Sequence, residues 1–205
     1  MNELIFQVEF LSEVVLPSTS NTEGNIDSLD FIPGSNFLGM VAKAYDDFDD
    51  SFKVFHSGSV CFGDATLLHK GEETFKMPLS FFHEKLDDST LVNHHLITDF
   101  SKFTQLKQKR KGFITRDLEE LSFKNNYAQK SAYSKEHRRS KDGSMYGYSS
   151  MPKGLFWQFV VKYDGLSTND IEGIKNNLVG KKRLGKSKSS QYGQIEISET
   201  RKAIT

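Results

Sequence analysis

Leu155-Phe156-Trp157-Gln158-Phe159-Val160-Val161-Lys162-Tyr163 is the stretch that decides the fold. It is apolar or aromatic almost throughout, and such residues suit a pleated surface packed on both sides, so it predicts a strand near the middle of a sheet. Just beyond it, Ser167-Thr168-Asn169-Asp170 offers side chains that cap helices, and Ile171, Ile174 and Leu178 follow at helical spacing. Gly180 to Gly193 then reads as a glycine- and lysine-rich loop, and Gln194-Ile195-Glu196-Ile197-Ser198 alternates as a last strand.

Toward the N-terminus, Lys102 to Lys141 is a polar insertion with weak periodicity, carrying 12 Lys/Arg against 4 Asp/Glu, and predicts a basic arm or hairpin. Ser59 to Leu68 reads as a strand, with Val60, Phe62 and Ala65 packing inward around Gly63 and Asp64. Ile32-Pro33-Gly34-Ser35 opens a helix that Ser35 can cap, whose Phe37, Leu38, Val41, Ala42 and Tyr45 share a face. The acidic run Asp46, Asp47, Asp49, Asp50 ends it, and a polar, turn-rich loop, Ser18 to Asn25, precedes it. Leu4 to Leu11 is the first strand. The order is β-α-β-β-α-β, that of a ferredoxin-like α+β domain with an antiparallel sheet and two helices. The expectation is a single domain over 1–205 with a basic insertion at about 101–153.

The chain has 205 residues and 37% hydrophobic content, and its 17 Phe and 7 Tyr supply core and stacking side chains. Its only cysteine, Cys61, excludes an intrachain disulfide and reads as a small core residue. No run approaches the roughly 18 apolar residues of a membrane span. Met1 to Val15 lacks a basic start and carries Glu3, Glu9 and Glu13, unlike a signal peptide, so a reducing, cytoplasmic location is expected.

The formal net charge of zero conceals a division. Residues 1–100 carry 17 Asp/Glu against 5 Lys/Arg, and residues 101–205 carry 22 Lys/Arg against 10 Asp/Glu, so the halves stand at −12 and +12. Attraction between the halves is one account of this. The other is a basic surface that follows a phosphate backbone and an acidic one that repels RNA or meets a basic neighbour.

The second account draws on two segments. Between Gly180 and Gly193, three glycines (Gly180, Gly185, Gly193) accompany Lys181, Lys182, Arg183, Lys186 and Lys188 with no acid, and Tyr192 offers a face for stacking. Exposed amides there can form an anion-binding nest, and the cations add contacts that release counterions. The spacing of Gly180, Gly185, Lys186 and Ser187 is that of a phosphate-binding NTPase loop, but a strand follows it where such a loop needs a helix, which excludes that reading. The helix start at Gly34-Ser35 has free amides and the positive end of a dipole, suited to a second phosphate, and Gly39 one turn on keeps that face low.

Leu29-Asp30-Phe31-Ile32-Pro33-Gly34-Ser35-Asn36-Phe37-Leu38-Gly39 resembles the IPGS-x-x-x-G start of the first helix in RAMP-superfamily proteins, and Gly180 to Gly193 resembles their C-terminal glycine-rich loop. Val54 to Ala65, and Asp142 to Tyr148 leading to Gly154-Leu155-Phe156, are similar to RAMP subunits of type III CRISPR systems. The lysine-free run Ser57 to Ala65, followed by Met77-Pro78-Leu79-Ser80, looks closest to the type III-D group that caps the 5′ handle of the guide. The resemblance spans most of the chain. It implies a structural subunit that binds guide RNA in an antiviral CRISPR effector complex. Its partners would be other RAMP subunits and the large polymerase-like subunit, with target RNA met indirectly and no membrane.

On this reading Lys135, Arg138 and Arg139 of the arm join the glycine-rich loop in binding RNA, and Tyr133, Tyr146 and Tyr192 stack on bases. Some RAMP backbone subunits cut target RNA with an aspartate between the first strand and first helix, using a divalent metal; Asp27 and Asp30 lie there, with Asp27 the candidate. Mg²⁺ or Mn²⁺ is implied only in that case; otherwise no cofactor is expected. Processing RAMPs use histidine, but His56, His83, His94, His95 and His137 show no spacing that dictates catalysis, and His137 reads as an RNA contact. A third alternative is a subunit that bridges proteins without binding RNA.

Overall fold

The computed structural model describes residues 1–19 and 24–200. At its centre is a seven-stranded sheet of β1 (Asn2–Phe10), β2 (Val60–Phe62), β3 (Thr66–His69), β4 (Glu72–Glu73), β5 (Phe156–Tyr163), β6 (Gly180–Arg183) and β7 (Gln194–Thr200). The order is β6-β7-β1-β5-β3-β4, with β2 also paired to β5, and every pairing is antiparallel. The aromatic run Phe156–Tyr163 has partners on both sides, as its composition predicts.

Alternation along β1 sends Leu4, Phe6, Val8 and Phe10 to one face, where Trp157, Phe159 and Val161 of β5 and Ile195 and Ile197 of β7 meet them. Two helices cover this face: α1 (Gly34–Val41), contributing Phe37, Met40 and Val41, and α3 (Thr168–Leu178), contributing Ile174 and Leu178. Phe37 stacks on Phe159 at 3.6 Å between centroids, and Phe159 on Phe6 at 5.1 Å. Burying each such ring is worth about 1.5–3 kcal/mol, so this layer dominates the stability. Ser167 caps α3 by accepting from the Asp170 amide at 3.0 Å, as expected.

Several local expectations are corrected. The predicted strand Ser59 to Leu68 is two strands, because Gly63, Asp64 and Ala65 bend away: the Gly63 amide still donates to Val160 at 2.9 Å, while Ala65 pairs with Ile32. Cys61 is exposed opposite Lys162, not in the core. The first helix stops at Val41 and continues as a 3₁₀ segment, Ala42–Asp47, so Tyr45 leaves the buried face and is exposed. Phe48 then turns back into the core, and α2 (Ser51–Phe55), which the sequence reading lacks, starts on an Asp50 cap.

The glycine-rich stretch is part strand, because Gly180–Arg183 pairs with β7 and only 184–193 form a loop. The basic insertion is part core. Phe113 is buried beside Phe123 and Trp157, and Phe113–Ile114 pairs with Phe75–Lys76 and with Glu120–Leu121. Leu106–Gln108 joins Phe81–Glu84 and Asp87–Asn93 in another small sheet. The arm itself is the hairpin Asn126–Ser134 and Arg139–Ser150, with Gly24–Ile26 parallel to its second strand. Residues 20–23 of the predicted polar loop lie outside the described residues. Among the described residues no helix is long and apolar enough to cross a membrane.

Candidate nucleic-acid interface

Strand alternation governs the first basic residues. Lys181 stands opposite Glu196, and Lys182 opposite the buried Ile195, so the two lysines point to opposite faces of the sheet. The cations of this stretch therefore do not all share one face, as a single phosphate grip would need: Lys181 belongs to the face away from the helices.

After Arg183 the loop is pinned to the body. Leu184 donates to Gly193 at 2.8 Å, Lys186 to Val15 at 2.8 Å, and Gly193 to Glu13 at 2.8 Å, while Ser190 donates to Ser187 at 3.2 Å. These four amides are unavailable to an anion, so the expected nest is reduced to the loop tip. Gly185 (φ +81°) must be glycine twice over, since its conformation is left-handed and a Cβ would fall on the carbonyl oxygen of Val15. Gly193 (φ +82°) is buried, and a Cβ there would collide with the carbonyl of Leu184, so its glycine is needed to shape the loop.

The helix start is likewise occupied from within. The Gly34 amide donates to Asp64 Oδ1 at 2.7 Å, and Gly34 is buried. The expected phosphate contact at Gly34 is thus corrected: the Asp64 carboxylate already satisfies that amide and complements the helix dipole. Ser35 is no cap either, because Pro33 takes that position without a side-chain bond. Ser35 is exposed, and its neighbours are what matter.

Ser35, Gly39 and Lys43 follow one another at four-residue spacing along one side of α1 and its extension. That side faces the loop across a cleft of about 200 Å³, lined by Ser35, Asn36, Gly39, Met40, Lys43, Arg183, Leu184, Gly185 and Lys188. Three cations and no carboxylate line it, and a Cβ on Gly39 would meet nothing within 4 Å. The structure therefore unites the two predicted segments and adds Lys43. The i, i+4, i+8 spacing from Ser35 was the available signal for it.

The hairpin joins this surface through aromatic rings. Lys130 donates to Gln191 Oε1 at 3.0 Å and lies 4.8 Å from the Tyr192 ring and 5.7 Å from that of Tyr148; Lys186 lies 5.5 Å from Tyr148. Two lysines held over two tyrosines fasten the arm to the loop. Tyr192 is fully buried, edge-on to Tyr148 at 6.0 Å, which corrects its reading as a base-stacking platform. Burial pushes its phenol above the usual tyrosine range, Glu13 and Tyr148 adding to this, so it stays neutral. Tyr133 is 65% exposed and Tyr146 half-buried. Lys135, His137, Arg138 and Arg139 are exposed at the hairpin end.

Three of the candidate histidines are engaged by neighbours within the fold. His83 is buried with Nδ1 2.9 Å from the Glu84 carbonyl, His94 packs between Phe82 and Phe100, and His56 packs on Tyr45 and Phe52. His95 is exposed on a 3₁₀ turn. Asp27 and Asp30 both line a cleft of about 550 Å³ with Lys111, Phe113 and Phe123. Asp30 is paired with Lys76 at 3.0 Å, whereas Asp27 is exposed. Among the described residues no three His, Cys, Asp or Glu side chains are grouped to hold a metal.

No protein-family model and no curated protein matches the chain. Solved structures do. A chain of type III-B Cmr-beta in its apo state aligns over 98% of this chain and 98% of its own length, with a TM-score of 0.56 and 13% identity. A chain of a type IV-B CRISPR complex aligns over 100% and 92%, with a TM-score of 0.56 and 10% identity. A chain of type III-B Cmr-beta bound to cognate target RNA aligns over 97% of each, with a TM-score of 0.56 and 12% identity. At these identities the likeness establishes a shared fold.

Proposed function

We propose, from a fold shared with chains of type III-B and type IV-B CRISPR complexes, that this chain is a RAMP-superfamily subunit of a CRISPR effector complex that holds guide RNA. Strand order β7-β1-β5 with β2 and β3 beyond, and helices α1 and α3 in the two crossovers, supports reading the body as ferredoxin-like. A cytoplasmic place beside other RAMP subunits and the polymerase-like subunit belongs to the same reading. The type III-D assignment rests on Ser57 to Ala65 and Met77 to Ser80 alone, so the proposal stands at the level of the superfamily.

The observation that carries the RNA reading is the cleft between α1 and the β6–β7 loop, which Lys43, Arg183 and Lys188 line beside Ser35 and the bare backbone of Gly39 without an acid. A sugar-phosphate chain can approach a helix closely only where a side chain is missing, and the cations neutralise its charge. Lys130 and Lys186, fixed over Tyr148, continue the basic surface toward the hairpin. Ultraviolet crosslinking to guide RNA should mark peptides from 183–191 and 130–139. A map with RNA on neither segment would sink the reading in favour of a subunit that only bridges proteins.

Gly39→Ala separates this role from folding. Alanine in an exposed helical position with open space is expected to leave stability unchanged or raise it by about 1 kcal/mol. RNA affinity, read by filter binding, should nevertheless fall several-fold, because the methyl group stands where the backbone would lie. Undiminished affinity would remove Gly39 from the interface.

One observation favours a second reading, cleavage of target RNA at Asp27. Asp27 is exposed on the large cleft, whereas Asp30 is tied to Lys76. Incubation of the assembled complex with labelled target and Mg²⁺ or Mn²⁺ tests it: cuts at fixed positions that vanish in Asp27→Ala establish a nuclease, and an uncut target dismisses it.

A further inference from the structure

The central sheet has a second face, away from α1 and α3, and its register brings two carboxylates together. Glu9 of β1 stands directly opposite Glu196 of β7. Like charges at opposed positions on neighbouring strands repel. Two other strand acids of this sheet are ion-paired, Glu3 with Lys162 at 3.3 Å and Glu199 with Lys175 at 3.3 Å. Lys181 is opposite Glu196 in register, yet among the described residues no ion pair joins Glu9 or Glu196 to a base.

Two apolar side chains lie beside the carboxylates. Phe156, opposite Glu9 on β5, is 39% exposed, and Val179 at the end of α3 is 41% exposed. Together with Gln7 and Ser198 they enclose a cleft of about 300 Å³. An alkyl wall leading to a doubled negative charge is the complement of a long basic side chain, whose stem packs on apolar groups while its head meets carboxylates.

We propose that this face docks a neighbouring protein through an arginine or lysine side chain that lays its stem on Phe156 and Val179 and its cation between Glu9 and Glu196. A phosphate backbone is repelled there. The proposal does not depend on the RNA reading, since no residue that lines this cleft lines the one beside α1. It gives this pair of acids a partner of defined chemistry.

The test is fluorescence anisotropy of the full chain with a labelled peptide carrying two arginines flanked by leucine, at low ionic strength. Glu9→Gln/Glu196→Gln should bind at least about tenfold more weakly, as expected when close charge pairs are removed. Asp46→Asn/Asp47→Asn, which removes equal charge from another surface, should bind as the unaltered chain does, and guide RNA affinity should be unchanged in both. Retained peptide binding in the Glu9/Glu196 variant, an equal loss in both variants, displacement by spermidine as readily as by unlabelled peptide, or no binding by the unaltered chain would each overturn the proposal. A change in RNA affinity alone bears on the other surface.

Discussion

Replacing Lys43, Arg183, Lys186 and Lys188 together by alanine is expected to lower guide RNA affinity by roughly 10²–10³-fold at about 0.1 M salt. Each phosphate contact to a single strand contributes about 0.7 to the slope of log affinity against log salt, so four lost contacts flatten the slope by about 3. The set is structural in origin: Lys43, Arg183 and Lys188 line one cleft, and Lys186 is fixed over Tyr148 at its side. Lys181→Ala is the internal control, because Lys181 stands opposite Glu196 and does not line that cleft. It should leave both affinity and slope nearly unchanged. An unaltered slope in the fourfold variant, or an equal effect from Lys181 alone, would refute the cleft as the phosphate site.

Gly34→Ala is expected to bring a large stability loss through a single methyl group. The added carbon would fall on the carbonyl oxygen of Phe62, and would lie 2.8 Å from the Phe62 carbonyl carbon and 2.9 Å from the Gly63 oxygen. These are backbone atoms of the segment that bends between β2 and β3, so no rotamer change relieves the clash. The helix start must lift, breaking the 2.7 Å bond from Gly34 to Asp64 and disturbing the Phe37–Phe159 stack. A loss of about 3 kcal/mol is expected, lowering the melting temperature by about 10 °C in a chain of this size. Asp64→Ala, which removes the cap and leaves the packing, should cost only about 1 kcal/mol. Gly34→Ala with an unchanged urea or thermal midpoint would show that the helix start is less closely packed than described here.

These two results divide the resembling motif into parts that composition alone does not separate. In Ile32-Pro33-Gly34-Ser35 and the Gly39 beyond it, Gly34 serves packing and Gly39 leaves a surface low, although both are glycines of one helix. In Gly180 to Gly193, Gly185 and Gly193 shape the loop, while Lys188 and Arg183 line the cleft. The sequence also pointed to Tyr192 as a ligand group. An aromatic in a basic, glycine-bearing run looks exposed until the hairpin is folded over it, and Lys130 and Tyr148, which cover it, lie about forty to sixty positions away in the chain.

What the sequence determined by itself was whatever depends on neighbours within a turn of helix or two residues of strand. The first strand, read at Leu4 to Leu11 and found at Asn2–Phe10, the aromatic run of β5, the Ser167 cap and the apolar stripe of α3 are all local features. Tertiary structure alone decided where each polar group points and what already satisfies it. The partner of the Gly34 amide is 30 residues distant, and the face taken by Lys181 is set by its register against Glu196. Register and long-range hydrogen bonds follow from burying the whole apolar face at once, and no short window of sequence carries that balance.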